Sequence, residues 1–121
     1  MGFFDMFKKR TLEEKMEYWA ENGYIGKLEA SAAEGKPKEM RIAALTATRL
    51  IKERQGVELL MTALRDDDVE IRRAAATALL MNATKDTTDR LLNYSEAEED
   101  AEVAKIMKEA AIAGKERTPR I

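Results

Sequence analysis

Asp66, Asp67 and Asp68 stand in a row, with Glu70 two residues on and the pair Arg72-Arg73 immediately after. Grouped carboxylates can hold a hard cation. An EF-hand calcium loop, however, needs ligands at alternating positions, a glycine at the bend and a distal bidentate glutamate. The stretch RDDDVEI, from Arg65 to Ile71, has none of that pattern. The same residues fit the start of a helix. An aspartate side chain accepts from the first free amides, and a glutamate in the first turn faces the positive end of the helix. Asp67 or Asp68 is therefore read as a cap, with no metal ligand assigned.

Other chemistry is narrowed by what the chain lacks. It has no histidine and no cysteine. Serine–histidine and cysteine–histidine nucleophile pairs, imidazole acid–base steps and thiolate or imidazole metal sites are excluded. No phosphate-binding glycine loop or dinucleotide fingerprint is present. A catalyst would have to work with carboxylates or lysines, so the expectation is a non-catalytic protein without a cofactor. The formal net charge of −2 gives no global field for nucleic acid or an anionic membrane. No run is long enough for a membrane span and no secretory signal opens the chain, so a soluble cytoplasmic protein is expected.

Helical punctuation carries these residues. Thr11 to Glu14 (TLEE) is a capping-box pattern, starting a helix that should run to about Glu21 and stop at Gly23. A second segment, 24–34, ends at Gly35. Pro37 is expected as the first residue of a helix reaching Arg54, with Gly56 closing it. Segments 57–65, 69–83, 88–95 and 101–113 follow, with Gly114 beyond the last, and no strand is expected. Alanines such as Ala44, Ala75 and Ala78 are read as core, and Met61, Met81 and Met107 as core filler.

Slid along itself, the chain repeats. A shift of 32 puts Leu59-Leu60 on Leu91-Leu92, Asp68 on Asp100 and Ile71 on Val103. A shift of 31 the other way puts Arg72 on Arg41, Ala75 on Ala44 and Asp68 on Pro37. A constant period of this length marks stacked helix pairs. The unit LLMTALRDDDVEIRRAAATAL, with its leucine helix, Asp-rich turn and Val/Ile-Arg-x-x-Ala-x-x-Ala-Leu helix, resembles a HEAT repeat of the short bacterial and archaeal kind, related to those of phycobilin lyases. The resemblance covers about three-quarters of the chain. The third unit departs from it, with Ala104 in place of the arginine, as a terminal repeat with a polar outer face would.

The resemblance implies an all-α fold, a short right-handed αα-solenoid of about three helix pairs with an N-terminal capping helix. The division is 1–22 as cap, 23–114 as repeats (24–55, 56–86, 87–114) and 115–121 as a basic tail. It also implies that Arg41 and Arg72 each reach an acid of a neighbouring turn, forming a ladder between layers. The planar guanidinium suits that role. Arg73 and Lys105, which are repeat-equivalent, have no such assignment and are placed beside the inner groove as partner-binding candidates.

The two ends differ. Six of the seven aromatic residues lie in the first 24 positions, among them Phe3, Phe4 and Phe7 ahead of Lys8, Lys9 and Arg10. The opening segment is read first as a cap on the solenoid end, second as an anchor in a partner's groove, and third as a weak membrane contact. Near the other end, Glu96, Glu98, Glu99, Asp100 and Glu102 are read as a solvated acidic face. The function expected is protein–protein interaction, as an adaptor or a subunit of a larger complex, with a homo-oligomer as one form of it. The alternative is an accessory or lyase-like protein assisting an enzyme or binding a small ligand. Nucleic acid ranks last among partners.

Overall fold

The computed structural model describes residues 11–120. Seven α-helices follow one another there: α1 (Leu12–Glu21), α2 (Ile25–Ala32), α3 (Lys38–Thr48), α4 (Arg54–Ala63), α5 (Val69–Asn82), α6 (Thr88–Ala97) and α7 (Ala101–Gly114). A 3-10 turn, Lys85–Thr87, leads into α6. No strand occurs among the described residues beyond an isolated bridge between Glu53 and Arg120.

Three helices begin at side-chain caps. Thr11 and Glu14 form the capping box of α1, the Glu14 amide donating to Thr11 Oγ1 over 3.1 Å. Asp68 and Asp100 cap α5 and α7 by accepting from the amides of Glu70 and Val103. Gly23 and Gly35 end the first two turns of the chain at φ of 73° and 94°, where a Cβ would be strained.

The helices α2–α3, α4–α5 and α6–α7 form three antiparallel pairs. The second helix of each pair packs along its predecessor, so α3, α5 and α7 make a continuous row. Helix α1 extends that row by lying against α3. The opposite row is looser: α2 touches α4, and α4 reaches α6 through the long side chains of Glu58 and Arg90 rather than by close backbone approach. Close packing on one side and splaying on the other curves the array, with α1, α3, α5 and α7 on its inner side. Ala47, Ala78 and Ala110 sit at the same repeat position and are almost fully buried. Their small side chains let the inner helices approach, while Leu28, Leu60 and Leu91 fill the space behind them. Burying each of those leucines is worth about 1.5–3 kcal/mol.

Several expectations from the sequence are corrected. Helix α3 ends at Thr48, and α4 already begins at Arg54, so Gly56 lies inside a helix. Gly114 likewise belongs to α7. Both glycines are there for space. A Cβ at Gly56 would stand 2.5 Å from Ile51 Cγ2, and one at Gly114 would stand 2.7 Å from the Ala83 carbonyl. Pro37 is the cap before α3, one position outside the helix. Met81 is 45% exposed, whereas Met61 and Met107 are buried. It follows that Gly114→Ala should destabilise the protein by about 1–3 kcal/mol in urea unfolding, despite alanine's better helix propensity. A neutral or stabilising result would refute the close approach of α7 to the 83–84 loop.

Candidate partner-binding face

The three aspartates do separate jobs. Asp68 caps α5 and pairs with Lys38 Nζ at 2.9 Å. That bond, first among the causes, holds the Asp68 carboxyl below its ordinary range, and it raises Lys38 in turn. Asp66 turns inward, where Arg41 Nη2 donates to its Oδ1 over 2.6 Å and the Asp68 amide donates to its Oδ2 over 2.9 Å. Asp67 contributes its backbone carbonyl, which accepts from Arg72 Nη1. Among the described residues, no group of three or more acids could hold a metal ion.

The same circuit recurs one unit on. Arg72 donates through Nε and Nη2 to both oxygens of Glu98, over 2.8 and 3.0 Å, and its Nη1 reaches the carbonyls of Asp66 and Asp67. Glu98 Oε2 also accepts from the Asp100 amide, as Asp66 does from Asp68. Each arginine therefore ties its own inner helix to the turn of the next unit. Arg41 adds a bond from Nε to the Ala32 carbonyl, at the end of its own outer helix. Glu98 is only 3% exposed in its side chain, so the acidic stretch at 96–102 is not simply a solvated face. Burial opposes ionisation of both Asp66 and Glu98, yet the arginine and amide bonds outweigh it and hold each carboxyl below its ordinary value.

Further ion pairs mark the period itself. Glu17 with Arg49, Lys38 with Glu70, Arg54 with Asp86 and Glu58 with Arg90 are each 32 residues apart. These were missed in the sequence, although opposite charges one period apart were there to be found.

With the ladder occupied, the inner face remains open. A groove of about 600 Å³ runs between α3 and α5, lined by Ile42, Thr46 and Arg49 on one side and by Arg73, Ala74, Thr77, Leu80 and Met81 on the other. A smaller hollow of about 330 Å³ continues it between α1 and α3, with Glu13, Glu17 and Glu39 at its rim. Arg73 stands at the groove edge, its Nε 2.8 Å from Glu102 Oε1 but out of line for a hydrogen bond. Lys105 is exposed on α7 and does not line the groove. Of these two candidates the structure places Arg73 on the groove and Lys105 outside its lining. Phe3, Phe4 and Phe7 lie outside the described residues.

Stacked helix pairs of constant period, joined by a ladder of arginines between layers, define a short α-solenoid. The chain matches the HEAT repeats family model over residues 27–112, and it belongs to that family. No curated protein and no solved structure matches it.

Breaking the ladder has a calculable cost. Arg72→Met leaves Glu98 buried without its partner and should cost about 3–5 kcal/mol in urea unfolding at pH 7. The sign with pH follows from the depressed carboxyls. Asp66 and Glu98 titrate lower in the folded chain than unfolded, so their stabilisation is complete above the ordinary values of 3.8 and 4.5. It is lost as pH falls through the folded values. Unfolding measured between pH 7 and pH 2 should show that acid loss in the wild type and a smaller one in Glu98→Gln.

Proposed function

We propose that the protein is a non-catalytic interaction module that receives a helical segment of another protein along its inner face. The open apolar groove between α3 and α5 is the observation that carries this reading. HEAT repeats commonly serve as protein-interaction modules, and the family is generally non-catalytic scaffolding. Helix α5 spans 14 residues, about 21 Å at 1.5 Å per residue, which accommodates a partner helix of three to four turns.

The face is polar along that length. Glu39, Glu70 and Glu102 occupy the first turns of α3, α5 and α7, and Arg49 and Lys52 lie at the opposite end. A partner helix with basic residues at one end and acidic residues at the other, and an apolar stripe between them, complements this arrangement. Leu80, Met81 and Ala74 bury the stripe, and Arg73 grips the edge. Lys105 extends the contact onto α7. Phe3, Phe4 and Phe7 supply a further anchor, which deletion of residues 1–10 would separate from the groove.

Affinity capture from source cells tests the reading. The wild type and an outer-face control, Leu92→Ser, should retain a stoichiometric protein partner. Met81→Glu and Thr77→Arg should lose it by tenfold or more, about 1.4 kcal/mol, with helicity by circular dichroism unchanged. Retention of the partner by both groove variants would contradict the proposal.

A further inference from the structure

The turn that joins α1 to α2 carries the dipeptide Asn22-Gly23, exposed to solvent. Asparagine followed by glycine is the pair in which a backbone nitrogen most readily attacks the preceding side chain, because glycine puts no Cβ in the way. Nothing else in the turn shields it: a Cβ built at Gly23 would meet no other atom within 4 Å. The remaining asparagines differ. Asn82 is 1% exposed and precedes Ala83, and Asn93 is exposed but precedes the bulky Tyr94.

The fold holds the reaction back. Asn22 is the cap at the end of α1, with φ −100° and ψ 8°. Its Nδ2 donates to the Tyr18 carbonyl over 2.8 Å, which turns the amide back along the helix. The Gly23 amide donates to the Ala20 carbonyl over 3.1 Å and the Tyr24 amide to the Trp19 carbonyl over 2.8 Å, the paired bonds of a glycine-ended helix. Before the Gly23 nitrogen can reach Asn22 Cγ, both it and the Asn22 side chain must give up these partners. Both bonds require the last turn of α1 to be formed.

Helix α1 is lightly held. It buries Met16 and Ala20 alone, where α5 buries six residues. Its other ties are the partly buried Leu12 and Trp19 and the pair of Glu17 with Arg49 at 3.3 Å. Segments with few buried apolar contacts open at a lower free energy than the whole molecule. Opening of α1 therefore frees Asn22 while the rest of the array stays folded.

We propose that Asn22 is a self-modification site that turns a transient release of α1 into a permanent one. In the released turn the Gly23 nitrogen, deprotonated by solvent base, bonds to Asn22 Cγ, and Nδ2 takes up a proton and leaves as ammonia. Water then opens the cyclic imide. Attack at Cγ leaves an aspartate, and attack at the backbone carbonyl carbon leaves an isoaspartate, whose chain path is longer by one methylene. The balance is one water consumed and one ammonia released, with no oxidation. With the longer path, the Gly23 and Tyr24 amides no longer meet the Ala20 and Trp19 carbonyls together, and a carboxylate faces the negative end of the helix. Helix α1 then stays off the row, and the hollow between α1 and α3 loses Glu13 and Glu17 from its rim. The reaction needs only water, so it is independent of what occupies the groove.

The test incubates the full chain at mildly alkaline pH, folded and in urea, and follows Asn22 by peptide mapping with mass spectrometry. Conversion should run about tenfold or more slowly in the folded chain, since two hydrogen bonds must break first. Asn93 should stay unconverted over the same period. Two variants separate local release from global unfolding. Glu17→Gln removes the pair that ties α1 to α3 and should speed folded-state conversion about two- to fivefold, whereas Glu58→Gln removes the pair between α4 and α6 and should leave it unchanged. Trp19 is the only tryptophan, and Lys27 stands over its ring at 5.3 Å across this turn. The converted chain, separated by anion exchange on its added charge, should therefore show the emission of a solvent-exposed indole under native conditions, and Asn22→Asp should keep the native emission. Equal rates folded and in urea, equal acceleration in both variants, native emission in the converted chain, or as large a shift in Asn22→Asp would overturn the inference.

Discussion

The bidentate contact between Arg72 and Glu98 is the constraint from which the rest of the array can be read. A helix pair cannot bury its own apolar face, so each layer depends on its neighbour for a core. Apolar contact alone sets no register, since alanine-lined helices can slide past one another. The guanidinium fork fixes register because it must meet two carboxylate oxygens and two carbonyls at once. Arg41 and Asp66 do the same for the preceding layer. Ala104 stands at the equivalent position of the third unit, so α7 carries no arginine fork of this kind.

This division of labour leaves the inner face free. Carboxylates that would otherwise crowd the turns are consumed in the ladder, and the helix ends are capped by Asp68 and Asp100 on one side and by Lys52 and Arg117 on the other. What remains on the inner row is a strip of small and apolar side chains between charged edges. A strip already arranged in this way would lose little conformational entropy on receiving the proposed partner helix.

The fold was legible in the sequence because its determinants are local or periodic. The capping box at Thr11, the glycines at 23 and 35 and the 31- and 32-residue shifts all act through residues near each other in one unit or equivalent in the next. What escaped notice was set by three-dimensional proximity. Gly56 and Gly114 read as helix stops, yet they sit inside helices because Ile51 and the Ala83 backbone press against them. Glu98 read as one of several solvated acids, and only the layer geometry shows that it is the buried one. Met81 read as core filler, yet its position at the end of α5 leaves it on the groove. The groove itself, made by two helices from different units, has no signature in either one.

The most direct measurement places a photo-crosslinking amino acid at Thr77, midway along α5 on the groove, and at Glu96 on α6 as an outer-row control, in the full chain within its source cells. The account predicts a single strong crosslinked protein species from Thr77 and none from Glu96. A partner crosslinked from Glu96 alone would place recognition on the outer row and contradict the assignment of the inner face.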